Sequence, residues 1–231
     1  MFQSVLCMKQ KIFIVKVGGG IVEQEETLGR LLNDFSRIEG AKVLVHGGGR
    51  SATRIAAQLG IESKMVDGRR VTDADMLRVV TMVYGGLVNK TLVAGLQARG
   101  VNALGLTGAD CNVMRSHRRP PTPTVDYGFV GDVDACDGDM LANLIQRGVT
   151  PVLAPLTHDG QGSLLNTNAD TIASTAAKAL AAVKDAQDKP LFEVTLVFCF
   201  EKAGVLSNPD DEGSVIPHID AADFERLVAD G

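Results

Sequence analysis

Ile12-Phe13-Ile14-Val15-Lys16-Val17-Gly18-Gly19-Gly20 and Lys42-Val43-Leu44-Val45-His46-Gly47-Gly48-Gly49-Arg50 are two copies of one device, about thirty residues apart. Each begins with a short apolar run, the pattern of a strand buried in a parallel sheet. Each run ends in three glycines, and each glycine turn leads into a helical pattern. Glycine lets a ligand approach the main chain closely. The helix that follows offers unpaired N–H groups and the positive end of its dipole. Two such turns on neighbouring strands suit two parts of one anionic system. Lys16 adds a fixed positive charge inside the first run.

Working outward, strands and helices alternate, which predicts a mainly parallel sheet with helices on both faces. Helices are expected over Glu25–Ile38, Ser51–Leu59 and Asp137–Gln146, and an alanine-rich one over Ala169–Val183. Further strands are expected over Val101–Leu106, Val149–Ala154 and Glu193–Phe200, with a last helix over Asp220–Val228. Asp67-Gly68 between Lys64-Met65-Val66 and Arg69-Arg70-Val71 signals a hairpin with a type I′ turn. Thr72 is placed to cap the next helix, which runs to Arg99 with a break expected at Gly85-Gly86. The Pro-containing stretch Gly108–Gly131 reads as irregular and hairpin-like, and Pro155–Asn168 as a polar loop. Lys184–Pro190, charged and ending in proline, is the best lobe boundary.

Composition narrows the chemistry. The chain has 231 residues, a net charge of -5, 4% aromatic residues and no Trp. Nucleic-acid grooves carry a basic excess and stacking platforms need aromatics, so neither is expected. The one basic cluster, Arg115 with His117-Arg118-Arg119, reads as a solvated loop. Cys7, Cys111, Cys136 and Cys199 form no C-x-x-C pair, which fits a reducing cytosol. No apolar stretch is expected to span a membrane. Met8 reads as a natural start, with residues 1–7 a disordered extension.

Neither glycine turn is G-x-x-x-x-G-K-[ST] or G-x-G-x-x-G, which excludes a P-loop and weakens a nicotinamide reading. Lys16 has two readings: an ion pair with an acid such as Asp170, or a contact to a phosphoryl group in transfer. At an effective dielectric of 20, one charge pair at 4 Å is worth roughly 4 kcal/mol, the scale needed for transition-state stabilisation. In Leu165-Asn166-Thr167-Asn168-Ala169-Asp170, Asn168 or Asp170 can cap a helix, and the other polar groups can recognise a carboxylate or amide ligand. Arg70 is either a solvated hairpin residue or a carboxylate clamp.

Together these residues resemble the amino-acid kinase superfamily and, within it, the N-acetylglutamate kinase family. The resemblance runs from Lys11 to the end of the chain. It rests on KVGG (Lys16–Gly19), HGGG (His46–Gly49), GRRVT (Gly68–Thr72), NK (Asn89-Lys90), GLTGAD (Gly105–Asp110), GFVGDV (Gly128–Val133) and LNTNAD (Leu165–Asp170). It implies an open, mainly parallel α/β sheet sandwiched between helices, with β-hairpins over the substrate site. The implied reaction is phosphorylation of the γ-carboxylate of N-acetylglutamate by MgATP in arginine biosynthesis. Lys16 would stabilise the transferring phosphoryl group and Asp170 orient it. Gly18 and Gly19 would contact phosphate, and Gly48 and Gly49 the acceptor carboxylate. Arg70 would bind the α-carboxylate and Asn166, with Asn168, the acyl-amino acid. Glu201 and Gly204 fall on the nucleotide side, with no protein metal ligand, ATP as cofactor and Mg2+ carried on its phosphates.

The resemblance also implies a substrate lobe at 1–183 and an incomplete nucleotide lobe at 184–231. Glu201 stands where many members have Asp, and the family's G-G-M-x-x-K stretch with a second lysine is not among these 231 residues, so either the sequence is cut short or the nucleotide site is incomplete. A weak or inactive kinase, or a non-catalytic acyl-glutamate-binding protein, is therefore an expectation beside the acetylglutamate and N-succinylglutamate kinase readings. With 15 residues ahead of Lys16, a cytoplasmic homodimer insensitive to arginine is expected.

Overall fold

The computed structural model describes residues 9–208 and 210–230, so the expected start at Met8 and extension at 1–7 lie outside the described residues. The described chain forms two compact units, one ending at Cys199 and the other beginning at Phe200.

In the first unit the elements run β1 (Gln10–Val17), α1 (Gly19–Glu23), α2 (Glu25–Arg37), β2 (Ala41–His46), α3 (Gly49–Gln58), β3 (Met65–Val66) and β4 (Arg69–Arg70). A long helical stretch follows: α4 (Ala74–Val80), a π-helical segment (Thr81–Val88) and α5 (Asn89–Gln97). Then come β5 (Ala103–Leu106), β6 (Met114–Arg118), β7 (Gly131–Cys136), α6 (Gly138–Gln146), β8 (Thr150–Leu153), β9 (Leu156–His158), β10 (Leu164–Asn166), α7 (Ala169–Ala182) and β11 (Phe192–Cys199).

The main sheet is five parallel strands in the order β11-β1-β2-β8-β5. Successive residues of a strand face opposite sides. Val15, Val17 and Leu44 therefore pack on one face, with Phe35 and Leu92, while Ile12, Ile14, Val43 and Val45 pack on the other, with Leu141 and Ala176. The predicted parallel sandwich is thus present. The same parity sends Lys16 to the face of α7 and His46 to the face of α5.

Three local expectations are corrected. Gly85-Gly86 does not break the helix: Ala74–Gln97 is continuous, and the glycine pair lies in its π segment. A wide turn absorbs the weak helix formers where a stop was expected. Continuity makes this stretch long and apolar enough to cross a membrane by length and composition. Here Met76, Val79, Val80, Val83, Leu92 and Leu96 are buried in the core. Thr72 does not cap α4; the Asp73 carboxylate does, accepting from Met76 N–H at 2.8 Å. Finally, 155–168 is not a loop, since β9 and β10 pair antiparallel in a second sheet ordered β10-β9-β6-β7. Three-residue strands are too short for periodicity to show.

The β3–β4 hairpin has positive φ at both Asp67 and Gly68, as a type I′ turn requires. Lys184–Pro190 closes on itself through a Lys184–Pro190 bridge and leads directly into β11 of the first unit. The second unit carries a Leu206–Val215 bridge, with Gly204 packed on Val215, and ends in α8 (Ala221–Asp230), where Asp220 Oδ1 accepts from Asp223 N–H at 2.8 Å.

Glycines with positive φ differ in how replaceable they are. Gly128 has φ +71°, and a Cβ there would lie 2.2 Å from the Thr72 carbonyl oxygen. Gly60 has φ +73° but open space around it. Gly60→Ala should cost about 1–2 kcal/mol, the left-handed penalty alone. Gly128→Ala should cost more than about 3 kcal/mol, because backbone must also move. Urea unfolding of the two variants checks this; equal losses would refute it.

Candidate active site

Parallel pairing in register sets Val17 beside His46, so the two glycine turns leave the sheet side by side. Gly47 N–H donates to Val17 O at 3.1 Å and Gly18 N–H to Cys199 O at 3.0 Å. The turns are in main-chain contact. A Cβ on Gly47 would lie 3.1 Å from Gly19 N, and one on Gly19 would lie 3.4 Å from both Gly48 N and Gly49 N. A side chain on Gly47 would require the two turns to part by a few tenths of an ångström. Helices α1 and α3 start from Gly18 and Gly48, and neither cap makes a side-chain bond. In α3, Ser51 N–H is taken by the Glu23 carboxylate at 2.5 Å.

On the α7 face, Lys16 Nζ lies 2.8 Å from Asp170 Oδ1; the lysine side chain is 15% exposed and the aspartate 54%. The ion-pair reading of Lys16 is therefore present, and the pair sits at the C-terminal end of β1 beside the glycine contact. Asp170 itself does not cap α7. Asn168 does, its Oδ1 accepting from Asp170 N–H at 2.8 Å and Thr171 N–H at 3.0 Å.

A cleft of about 190 Å³ opens beside the second turn, lined among others by Gly48, Gly49, Arg70, Tyr84, Asn166 and Asn168. Arg70 is buried, which removes the solvated reading. Its Nη2 donates to Gly49 O at 2.8 Å and Thr53 Oγ1 at 2.9 Å, and its Nη1 contacts Ser63 Oγ. Asn166 is buried and donates through Nδ2 to Thr72 Oγ1 at 2.9 Å. That hydroxyl in turn donates to Arg70 O at 2.9 Å, which ties hairpin to strand. The fold thus brings the Gly48–Gly49 turn, Arg70, Asn166 and Asn168 to one cleft, with Gly18, Gly19 and the Lys16–Asp170 pair adjoining. Glu201, exposed, and Gly204, half-buried, belong to the second unit.

Two groups escaped sequence reasoning. Tyr84, from the π segment, is 5% exposed, and its ring would touch a Cβ on Gly48 at 3.0 Å. Burial pushes its hydroxyl pKa up, and the nearby Arg70 guanidinium pulls against that rise. No pattern in the chain distinguishes it. The second group is a network around His46, whose members His46 and Asn89-Lys90 were visible only as separate motifs, not as partners. His46 is fully buried, with Nδ1 2.7 Å from Gly47 O and Nε2 3.1 Å from Asn89 Nδ2. A carbonyl can only accept, so Nδ1 carries the proton and Nε2 accepts. Asn89 Nδ2 also donates to Val152 O at 2.9 Å, and Asn89 Oδ1 accepts from Lys90 Nζ at 3.1 Å.

Burial, with a smaller contribution from the Lys90 charge, lowers the His46 pKa from 6.5 to about 4. The native state therefore resists protonation that the unfolded chain accepts near pH 6.5. Stability is complete above pH 6.5 and declines as pH falls toward 4, by about 3 kcal/mol in total. Urea midpoints between pH 7.5 and 5 should fall in the parent and fall less in His46→Asn. Parallel pH profiles would refute this.

A model of the amino acid kinase family matches residues 11–231. The chain is 67% identical over 224 residues to an acetylglutamate kinase of Bacteroides fragilis, covering 97% of this chain and 82% of that protein. It is 68% identical over 224 residues to an acetylglutamate kinase of Bacteroides thetaiotaomicron, covering 97% and 84%. Among solved structures, an N-acetylglutamate synthase of Neisseria gonorrhoeae complexed with coenzyme A and N-acetyl-glutamate superposes with a TM-score of 0.75. The identity there is 22%, over 95% of this chain and 47% of that one, a likeness of fold. On the family match and these identities, the chain belongs to the amino acid kinase family.

Proposed function

We propose that this protein phosphorylates the γ-carboxylate of N-acetyl-L-glutamate with ATP, forming N-acetylglutamyl 5-phosphate in arginine biosynthesis. The observation that carries the reading is the contact between the two glycine turns, with a lysine–aspartate pair on one side and an arginine–asparagine cleft on the other. The names of the relatives favour a kinase over a non-catalytic binding protein.

The donor set suits phosphate: a largely buried ammonium paired with a half-exposed carboxylate and two main-chain turns, with no carboxylate cap on α1. Among the described residues no group of three or more His, Cys, Asp or Glu could hold a metal ion. Mg2+ would be held through the nucleotide phosphates, where it would neutralise their charge. In the reaction a γ-carboxylate oxygen attacks the terminal phosphorus. The bond from phosphorus to the bridging oxygen breaks, and its electron pair leaves with ADP. Catalysis is positioning and charge neutralisation. Gly48 and Gly49 N–H groups hold the acceptor carboxylate, and Gly18 and Gly19 the phosphate. Lys16 follows the transferring phosphoryl group while Asp170 keeps it aimed. Arg70 takes the α-carboxylate, and Asn166 the acyl-amino group, with Asn168 fixing the start of α7. Residues 1–183 form the substrate lobe, and residues 184–231, with Glu201 and Gly204, contribute to nucleotide binding. The enzyme acts in the cytoplasm as a homodimer, which exposed apolar Met82 and Leu87 would serve.

A coupled ADP-release assay tests this with N-acetyl- and N-succinylglutamate as acceptors, the latter because Arg69 also lines the cleft. Lys16→Ala should lower kcat about 10²–10³-fold. Arg70→Ala should raise the acceptor KM at least about tenfold, the value of one charged hydrogen bond. An unaffected Lys16→Ala enzyme would overturn the site, and absence of acceptor-dependent ADP release the reaction.

A further inference from the structure

The acceptor-side turn has a problem of its own making. Gly47 and Gly48 lack side chains, so sterics do not decide which way the peptide between them faces. The two orientations differ greatly in consequence. One presents the Gly48 N–H to the ligand; the other presents the Gly47 carbonyl oxygen, which repels a carboxylate. Peptide bonds here are all trans. In a planar trans peptide the carbonyl and the next N–H point in opposite directions. Holding the Gly47 carbonyl on one side therefore aims the Gly48 N–H at the other.

His46 Nδ1–H holds that carbonyl at 2.7 Å, on the α5 face of the sheet. The neutral ring must be in its Nδ1–H form to do so, and Asn89 enforces this form by donating to Nε2 at 3.1 Å. Asn89 is itself held from three sides. Its amide nitrogen is shared with Val152 O at 2.9 Å, and its oxygen takes Lys90 Nζ, which also reaches Gly105 O at 3.2 Å. A Cβ on Gly105 would fall 1.8 Å from Asn89 Oδ1, so that glycine makes room for the network. His46 is 0% and Asn89 1% exposed, so bulk water does not reach the His46–Asn89 and Asn89–Val152 bonds, while the Lys90 contacts lie at the exposed edge of the network.

We propose that His46 is a positioning residue for the acceptor: it locks the Gly47–Gly48 peptide so that the Gly48 N–H faces the carboxylate, and Asn89 fixes the ring form that makes this possible. The proposal rests on the kinase reading for the identity of the acceptor. Its chemistry needs no contact between the ring and any substrate.

The variants His46→Gln and His46→Asn separate this from a packing role. A Gln amide reaches the place of Nε2 and abandons the Gly47 carbonyl, whereas an Asn amide reaches the place of Nδ1 and keeps it. His46→Gln should raise the KM for N-acetylglutamate about tenfold while the KM for ATP moves less than about twofold. His46→Asn should recover most of that loss. Equal acceptor KM in His46→Gln and the parent, or a parallel rise in both KM values with both variants, would overturn the inference. Nitrogen-15 NMR of the parent reads the ring form directly and requires no variant to fold. The Nδ1–H form is expected, and an Nε2–H form would overturn the inference. A parent that releases no ADP with N-acetylglutamate defeats the kinase reading instead, and the ring-form measurement still decides the lock.

Discussion

Everything at the site depends on the register of β1 against β2. Val17 lies opposite His46, so Gly18 and Gly47 leave the sheet together and the turns that follow touch through main chain alone. A parallel pair slipped by one residue would turn one strand's side chains to the opposite face. Lys16 would then lose Asp170, or His46 would lose Asn89. The register is held by burial on both sides: Ile14, Val17, Val43, Leu44 and Val45 are all 0% exposed. A slip would expose none of them to water, but it would mispack two cores at once.

The alternation of the strands also separates the charges. Lys16 emerges toward α7 and His46 toward α5, with the sheet between them. A lysine in an apolar strand is costly without a partner. Asp170 supplies one, and the partner is half exposed, so the ammonium lies at the mouth of the fold rather than inside it. The two sequence readings of Lys16 are therefore compatible. An ion pair at the edge of the sheet keeps the lysine aimed, and phosphate oxygens can join it without a buried charge being stranded.

The parts of the fold legible in the sequence are those whose signal is local and repeated. Apolar runs ending in glycine triplets mark β1, β2 and their turns, and Asp67-Gly68 marks the type I′ hairpin. What escaped depends on partners distant in the chain. Thr72 looks like a helix cap until Asn166, ninety-four residues away, is found to hold its hydroxyl. Asp73 then takes the cap, one residue on. Leu156–His158 and Leu164–Asn166 carry no periodicity of their own and become strands by pairing. Gly85-Gly86 reads as a stop by propensity, yet packing of Val83, Tyr84 and Val88 on either side carries the helix through. At the site, the glycine turns, Lys16, Asp170, Arg70 and Asn166 could be picked out from residue type and order. Tyr84 could not, and Asn89, visible within the Asn89-Lys90 motif, had no assigned role until the fold placed it against His46 and Val152.

That distinction bears on how the proposed site would favour an anion. Glycines supply access but no direction, and a bare turn offers carbonyl oxygens as readily as N–H groups. In this turn every carbonyl is already committed. Gly47 O is held by His46 Nδ1–H, Gly48 O accepts from Ala52 N–H at 3.0 Å, and Gly49 O accepts from Arg70 Nη2 and from Thr53 Oγ1 at 3.0 Å. With its acceptors spent on the protein, the turn has donors left to offer a ligand. Arg70 then has two tasks. It places charge at the cleft, and by holding Gly49 O it keeps that carbonyl committed to the protein, as the proposed carboxylate site requires. Preorganisation of this kind costs nothing at the moment of reaction, because the dipoles were oriented when the chain folded.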